Sequence, residues 1–398
     1  PYMVDHLLII GLLLSFPLFW FAGYTRGKGR RLANSERDLA RHYFQGINFF
    51  LNEQPDQAID TFIRSVEVTP YTLETHLALG NLMRQRGEIE RAIRVHQNLL
   101  SRPNLNNDQS QQAHLELGRD FLKAGLFDRA ERLFLELVED QGSDFRQVSL
   151  QHLVQIYRGE QEWEKAIRAA GMMDKKRFSR SVDKLDIEQA QFCCELAEQA
   201  IDMSDLLQAR RHIKAALRYN KNSARANMLW GRLEMRASNS LEALKRFSMI
   251  PRQQPEYLPE ILPLVRQCYE QLGDESGLLV QLQSWLKTYP GTSLLQMVVD
   301  VMVKQCGEQR ATGFLMDYLR EYPSIRGLQT LLRISSNRGA EAEQEQLNLL
   351  QELLDSLLAR RSQYRCVQCG FSGAQLHWLC PQCLRWETVQ PVRGIDGE

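Results

Sequence analysis

Small side chains recur along this chain at nearly constant intervals, and no other feature constrains the fold as strongly. The intervals are 34, 38, 36, 43, 34, 34 and 34 residues. They separate eight positions: Ala58, Ala92, Ala130, Ala166, Ala209, Ala243, Gly277 and Ala311. A period of this length indicates a supersecondary unit that buries its apolar face by stacking on its neighbours. Helix-forming residues dominate and long β-branched runs are rare, so the unit is predicted to be a helix pair in an all-α body.

Further residues of the repeat have packing roles. A glycine stands twelve residues before four of the small residues, at Gly46, Gly80, Gly118 and Gly231. A phenylalanine stands four residues after three of them, at Phe62, Phe134 and Phe247. The glycine lets two antiparallel helices approach, the small residue packs the second helix against the first, and the phenylalanine fills the gap to the next unit. This combination resembles the tetratricopeptide repeat, which implies a superhelical solenoid.

The period divides residues 39–335 into about eight units. Clear units are predicted at four intervals: 39–72, 73–106, 111–144 and 224–257. Units that lack the first-helix glycine are predicted at four more: 147–180, 190–223, 258–291 and 292–325. Leucines at helical spacing then predict an amphipathic helix that caps the array within 336–361.

Repeat arrays of this kind present a long concave face that binds segments of other proteins. By register, six polar residues of first helices are predicted to line this groove: Asn81, Arg84, Arg119, Arg158, Arg225 and Arg232. A row of guanidinium groups suits acidic side chains or a carboxylate. The alternative interpretation is that these residues are ordinary solvated side chains on a helix surface.

The N-terminal residues predict a membrane anchor. Residues 7–22 form a run of sixteen without a charge, close to the lower limit of about 17 for a membrane-spanning helix. Four basic residues follow within 26–31, so the positive-inside rule places the rest of the chain in the cytoplasm. A cleaved signal peptide is the alternative, but it would carry its positive charges before the apolar run. We therefore assign residues 1–25 to a transmembrane anchor and 26–38 to a basic juxtamembrane linker.

Four of the eight cysteines form two C-x-x-C pairs separated by ten residues. These are the predicted metal ligands: Cys366, Cys369, Cys380 and Cys383. Two such knuckles facing each other make a tetrahedral site that holds either zinc or a single iron, and the spacing does not choose between them. Because the protein fills every coordination position, the site is predicted to be structural and to fold a small domain over 362–398. The dispersed cysteines are predicted to be packing residues: Cys193, Cys194, Cys268 and Cys306.

An anchor, a repeat array and the C-terminal run YRCVQCGF…WLCPQC…PVRGIDG follow one another in this order. Together they resemble the lipopolysaccharide assembly protein B family of Gram-negative bacteria. The resemblance spans nearly the whole chain. It is most specific at 79–93 (LGNLMRQRGEIERAI), at 117–130 (LGRDFLKAGLFDRA) and in the cysteine module.

This resemblance implies a single-pass inner-membrane protein whose bulk faces the cytoplasm. It implies a non-enzymatic adaptor that brings the deacetylase of the lipid A pathway to the membrane protease FtsH and so restrains lipopolysaccharide synthesis. Other lipopolysaccharide synthesis and assembly proteins of the inner membrane are further implied partners. The cysteine module resembles a rubredoxin-type knuckle, which implies iron, although zinc ribbons share the spacing.

Three other functions are weighed against the adaptor. Electron transfer would require redox-active iron in the knuckle, but the chain has no flavin or nucleotide fingerprint. Nucleic-acid binding is disfavoured because the chain has 49 basic and 49 acidic residues and its last 39 residues have only five basic against three acidic ones. An enzyme is not supported, since the chain has no H-E-x-x-H, P-loop or G-x-S-x-G motif.

Overall fold

The computed structural model describes residues 70–102, 105–140, 142–174, 182–335, 341–359, 361–394 and 397. These residues belong to two compact units, one that ends at Glu160 and one that begins at Gln161. The predicted anchor, linker and first repeat lie outside the described residues. Among the helices that are described, none has the length and apolar character needed to cross a bilayer.

The described part of the first unit contains five helices. They are α1 (Pro70–Gln85), α2 (Ile89–Leu100), α3 (Asn107–Lys123), α4 (Phe127–Glu139) and α5 (Arg146–Gly159). The turns between the two helices of a pair are tight, and Gly87 and Gly125 adopt positive φ angles of 84° and 75° there, a conformation that favours glycine. Asn106 begins α3 with a capping box, because its side chain accepts a hydrogen bond from the Gln109 backbone N–H.

The second unit continues the same pattern of helices. Its first helices are α6 (Trp163–Gly171), α7 (Val182–Asp202), α8 (Leu206–Tyr219), α9 (Ala224–Arg236), α10 (Ser240–Phe247) and α11 (Ile250–Gln253). After a 3₁₀ turn (Pro255–Tyr257) come α12 (Leu258–Leu272), α13 (Glu275–Thr288), α14 (Thr292–Cys306), α15 (Glu308–Glu321), α16 (Ile325–Ser335) and α17 (Glu341–Ala359). A continuous apolar core runs through these repeats from Ala224 to Ile334.

Six of the recurring small residues occupy one equivalent place, the fourth residue of a second helix. All six are completely buried: Ala92, Ala130, Ala166, Ala209, Ala243 and Ala311. Gly277 differs, because it is the third residue of α13 and is half-buried. Leu278 takes the inward position in that repeat and is only 3% exposed. The interval of 34 residues therefore placed the packing position of this repeat one residue too early.

The predicted role of the repeat glycines is confirmed for those that the structure describes. A Cβ atom added to Gly118 would come within 2.7 Å of the Phe134 ring, and one added to Gly231 within 2.3 Å of the Phe247 ring. At Gly80 the ring is that of His96, whose Nε2 would lie 2.3 Å from the added Cβ. His96 therefore stands where Phe134 and Phe247 stand in their repeats, and a search of the sequence for phenylalanine alone does not find it.

We predict that Gly231→Ala destabilises the second unit by about 1–3 kcal/mol, because the added methyl group overpacks a closed interface. The matched control is Gly313→Ala in α15, where an added Cβ would meet nothing within 4 Å. That substitution should be neutral or stabilise by up to about 1 kcal/mol, because alanine restricts the unfolded chain. Urea unfolding followed by circular dichroism measures both. Equal effects would contradict the close-approach explanation.

A helix is found where the capping helix was predicted, and of its described leucines only Leu354 and Leu358 are half-buried. Leu349, Leu350, Leu353 and Leu357 of α17 are each 50–61% exposed. The capping role of this helix therefore stays a prediction.

The C-terminal module is a small antiparallel sheet of order β2-β1-β3. Its strands are β1 (Tyr364–Cys366), β2 (Ser372–Gly373) and β3 (Val389–Pro391). Tyr364 pairs with Gly373 on one side and with Pro391 on the other. The mainly helical fold with a small C-terminal sheet agrees with the predicted class.

Candidate metal centre

Four thiols converge at one end of the C-terminal sheet, and they are the four predicted from the two C-x-x-C pairs. The Sγ atoms of Cys366, Cys369, Cys380 and Cys383 all lie within 4.8 Å of one another. The Sγ–Sγ distance is 3.6 Å from Cys369 to Cys380 and 3.8 Å from Cys366 to Cys383. A tetrahedron with metal–sulfur bonds of about 2.3 Å has edges of about 3.8 Å. The donor set therefore fits one four-coordinate ion, and its chemistry suits zinc and iron equally.

Each C-x-x-C pair is folded by the same local turn. The backbone N–H of Gly370 donates to the Cys366 carbonyl at 3.0 Å, and that of Leu384 donates to the Cys380 carbonyl at 2.9 Å. Both turn residues have positive φ angles, 80° at Gly370 and 52° at Leu384. The sequence indicated the first of these through its glycine. It hid the second, because a leucine at positive φ is uncommon and has no sequence signal.

The environment of Cys366 favours its charged form. Desolvation raises the pKa of this thiol, but hydrogen bonds with Thr388 and with the backbone at Cys369 and Gln368 outweigh that effect and lower the pKa to about 6. Thr388 Oγ1 lies 3.3 Å from Cys366 Sγ. Because metals bind thiolates rather than thiols, at least one ligand is prepared for coordination at neutral pH.

The dispersed cysteines are different in character. Burial raises the pKa of Cys193 and of Cys194 to about 12 and that of Cys268 to about 11. These thiols stay protonated at neutral pH and pack in the cores of their repeats, as the sequence indicated. Cys306, at the end of α14, is exposed instead.

Two tryptophans of the metal module pack on the repeats of the second unit. The ring of Trp386 lies 6.1 Å from that of Trp163 and 6.0 Å from that of Phe192, in edge-to-face arrangements. The ring of Trp378 lies 4.7 Å from that of Tyr257. The cysteine spacing gives no indication of these contacts. A signal was present nevertheless, because a module of about 30 residues is too small to bury two indoles in its own core.

Arg225 lies beneath these tryptophans and is only 1% exposed. Its Nη2 donates to Glu195 Oε1 at 2.8 Å and to Glu198 Oε2 at 2.6 Å. Its Nη1 donates to Gln191 Oε1 at 2.9 Å. The guanidinium carbon lies 5.3 Å from the centre of the Trp378 ring and 5.8 Å from that of Trp386, within the range of a cation–π interaction. One buried side chain thus joins α7, α9 and the metal module.

Polar contacts extend this interface on both sides of Arg225. Gln191 Nε2 donates to Glu387 Oε1 at 2.6 Å, and Gln254 Nε2 donates to Glu387 Oε2 at 3.1 Å. The Tyr364 hydroxyl of β1 donates to the Glu260 carboxylate in α12. Glu387 and Tyr364 of the metal module therefore both hydrogen-bond with side chains of the repeats.

Glu387 provides a pH-dependent prediction. Desolvation raises its pKa above the ordinary value of 4.5, although the two glutamine donors and Arg225 oppose this effect. Because the folded chain favours the neutral acid, the associated stability is complete below about pH 4.5 and is lost as the pH rises through the raised pKa. We expect Glu387→Gln, which stays neutral, to gain thermal stability relative to the wild type between about pH 5 and about pH 8.

Melting temperatures measured across this pH range test the prediction. Glu352→Gln, at an exposed position of α17, is the control and should track the wild type at every pH. A constant offset between Glu387→Gln and the wild type would contradict the assignment.

Three of the four predicted groove residues of the first unit belong to one connected network of ion pairs and hydrogen bonds. Arg84 pairs with Glu116 at 2.6 Å and with Asp120 at 2.7 Å, and it also donates to Asn81 Oδ1 at 2.6 Å. Arg119 pairs with the other oxygen of Glu116 at 2.6 Å. Asp120 in turn contacts the buried ring of His96, whose Nδ1 lies 2.6 Å from Asp120 Oδ2. The structure thus brings Arg84 and Arg119 together through the shared Glu116 carboxylate, and Asn81 joins them through its direct hydrogen bond with Arg84.

The other three groove residues have different surroundings. Arg158 is half-buried, Arg232 is exposed, and Arg225 is enclosed as described above. Arg225 therefore differs from the expected open position, because the metal module covers it and two glutamates of its own chain neutralise it. Partner binding by these residues stays a prediction.

Family models match both parts of the architecture. A model described as a rubredoxin metal binding domain matches residues 364–391. Tetratricopeptide repeat models match residues 75–109 and 194–257. The helix pairs and the cysteine module therefore carry the sequence features that the repeat period and the cysteine spacing predicted.

Curated relatives align over almost the entire chain. Lipopolysaccharide assembly protein B of Escherichia coli (strain K12) is 35% identical over 379 residues, which is 95% of this chain and 96% of that protein. The protein of the same name from Haemophilus influenzae is 31% identical, over 94% of this chain and 96% of its own length. Among solved structures, a tetratricopeptide repeat protein from Parabacteroides merdae aligns at 14% identity over 71% of this chain and 99% of its own. The TM-score of that match is 0.32, from which no functional conclusion follows.

Proposed function

Because the chain belongs to the lipopolysaccharide assembly protein B family, we propose that it is a non-enzymatic adaptor of lipopolysaccharide assembly at the inner membrane. In this proposal it brings the deacetylase of the lipid A pathway to the protease FtsH, promotes degradation of the deacetylase, and contacts other synthesis and assembly proteins. The observation that carries the proposal is a cluster of four thiols, able to fill every position around one ion, whose module packs on tetratricopeptide-type repeats. Such a centre leaves no coordination position for substrate or water.

The chain is proposed to be attached to the membrane through residues 1–25. The uncharged run at 7–22 and the basic residues at 26–31 support this attachment, with the repeats on the cytoplasmic side. Residues 39–335 would supply the docking surface. Arg225 is enclosed by the metal module, so the first candidates for contact with acidic partner segments are the other five predicted groove residues: Asn81, Arg84, Arg119, Arg158 and Arg232. The guanidinium groups of the four arginines suit carboxylates.

The four cysteines are proposed to hold one metal ion, with Cys366, Cys369, Cys380 and Cys383 as its ligands. The bound ion would supply the folding free energy that a module of this size cannot obtain from its own core. Trp378 and Trp386 of the folded module pack against the repeats, and Arg225 joins the module to the repeats.

Crosslinking in intact membranes, followed by purification of the chain, tests the adaptor. The protease and the deacetylase should co-purify, and the deacetylase should persist longer in cells that lack the chain. A variant without residues 1–25 should fold but should fail to shorten the lifetime of the deacetylase. Full function of that soluble variant, or an unchanged lifetime without the chain, would contradict the proposal.

Electron transfer through the cysteine centre is the second candidate. The match to a rubredoxin metal binding domain favours it, since four thiolates hold a redox-active iron as readily as zinc. It requires a reversible one-electron couple and a reductase partner. A wild-type phenotype of cells in which the centre holds zinc alone would exclude electron transfer and leave the adaptor.

A further inference from the structure

The charge of this chain is balanced as a whole but not around α8. The segment from Leu206 to Leu233 contains seven arginines and lysines and no aspartate or glutamate. Two of the seven are neutralised within the fold, because Arg210 pairs with Glu234 at 2.8 Å and Arg225 pairs with two glutamates. The remaining local excess of positive charge is available at the surface.

Three of these cations lie on one exposed stripe of α8. At 100° per residue, Leu207, Arg211, Lys214 and Arg218 fall within an arc of about 60° on an α-helix. All four side chains are exposed. The completely buried residues Ala209, Ile213 and Ala216 lie on the opposite side of the same helix. The stripe therefore faces directly away from the repeat core.

The cations of the stripe have no acidic partner among the residues that the structure describes. Arg211, Lys214 and Arg218 form no ion pair there, and Lys221 adds a fourth exposed charge two residues after α8 ends. Asp205, the nearest acid before the helix, is engaged as its cap and accepts a hydrogen bond from the Gln208 backbone N–H at 3.0 Å. A surface of this kind attracts a polyanion.

Exposed apolar side chains continue the stripe at its N-terminal end. Leu207 is 63% exposed, and Met203 in the preceding turn is 80% exposed. Large apolar residues beside a row of cations are typical of surfaces that rest on the headgroup region of a bilayer, where the cations meet anionic lipids and the apolar residues enter the acyl boundary. An acidic protein segment would use the cations but has no need of the exposed leucine and methionine.

We propose that the stripe Leu207–Arg211–Lys214–Arg218 of α8, with Met203, docks on the anionic phospholipid surface of the membrane. This inference rests on the proposed membrane attachment, which would keep a bilayer within reach. The docked stripe orients the second compact unit, so that the repeats present a defined side to partners in the same membrane. Each cation is expected to favour the docked state about fivefold at an anionic surface, and high salt should weaken docking.

Vesicle flotation with the full chain tests the proposal. The chain is held in nanodiscs of phosphatidylcholine and mixed with vesicles of phosphatidylcholine alone or with added phosphatidylglycerol. We expect flotation only with the anionic vesicles. The triple variant Arg211→Glu, Lys214→Glu, Arg218→Glu should lose it, by at least about tenfold in the vesicle concentration required. Leu207→Ser should reduce flotation at high salt, where the apolar contribution remains.

The matched control reverses three exposed cations elsewhere in the same unit: Lys287→Glu, Lys304→Glu and Arg310→Glu. It changes net charge equally and should float like the wild type. An Arg/Lys→Gln version of the α8 triple variant covers the case in which charge reversal disturbs folding, which thermal melting checks. Two results would overturn the proposal and favour an acidic protein segment as the occupant. One is equal flotation of the wild type with both vesicle types, and the other is an equal loss of flotation in the α8 triple variant and in the control triple variant. A chain that does not enter nanodiscs would instead contradict the proposed anchor, and the flotation test then proceeds with the chain free in solution.

Discussion

Removal of the metal is expected to unfold the C-terminal module and to release it from the repeats. Structural zinc contributes about 10–16 kcal/mol of apparent binding free energy in isolated finger peptides, which matches or exceeds the total stability of about 5–15 kcal/mol of an ordinary domain. The core of this module consists of Cys366, Cys380 and Val389 with a few half-buried neighbours. Two of these three residues are themselves ligands, so little apolar packing remains without the ion.

Loss of the module should also uncover the interface beneath it. Trp378 and Trp386 would enter solvent, and Arg225 would lose both aromatic faces. Treatment with a chelator, or the substitution Cys380→Ser, should shift tryptophan fluorescence to longer wavelength and open residues 361–394 to protease. Far-UV circular dichroism should stay nearly unchanged, because the described helices do not contain the ligands.

Cys306→Ser is the matched control for this experiment. Cys306 is exposed and lies at the end of α14, so its replacement should leave both the fluorescence and the protease resistance unchanged. A chelated chain whose C-terminal module remains resistant to protease would show that packing on the repeats holds the module without metal. That outcome would contradict the structural role assigned to the ion.

Truncation of Arg225 is expected to be the most damaging single substitution at the interface. Removing one partner of a buried ion pair costs about 3–5 kcal/mol, because the remaining charges lose their compensation. Arg225→Ala leaves Glu195 and Glu198 without their shared cation and removes the cation that lies against both indole rings. We expect a lower urea midpoint for the second unit and faster proteolysis of the metal module, with the metal still bound.

Arg232→Ala is the control, since Arg232 lies two turns further along α9 on an exposed position. A change at such a surface site is expected to stay within about 0.5 kcal/mol. Arg225→Lys separates charge from geometry, because lysine keeps the cation but not the planar fork that reaches Gln191 and both glutamates. If Arg225→Ala and Arg232→Ala cost the same, Arg225 does not join the module to the repeats.

Burial was predicted correctly for residues whose environment depends only on how their own helix pair packs. The fourth-residue alanines are buried as expected, since their period follows directly from helix pairs that stack with one repeat per interval. Reasoning from spacing failed at Gly277, because an interval counts residues and does not locate the turn at which a helix begins. Asp274 caps α13 one residue later than the interval implied, and Leu278 therefore occupies the packing position.

The sequence by itself determined that this chain forms helix pairs and that four thiols near its C-terminus can share one ion. The repeat period and the spacing of the ligands are both intervals along the chain, so they can be read from the order of the residues alone. Only the tertiary structure decided that Arg225, indistinguishable in sequence from a solvated groove arginine, is buried beneath Trp378 and Trp386. The physical reason is that amphipathic patterning shows only which side of a helix packs on its neighbour in the repeat. The other side can be covered by a segment that is distant along the chain, as Glu387 covers Gln191 of α7.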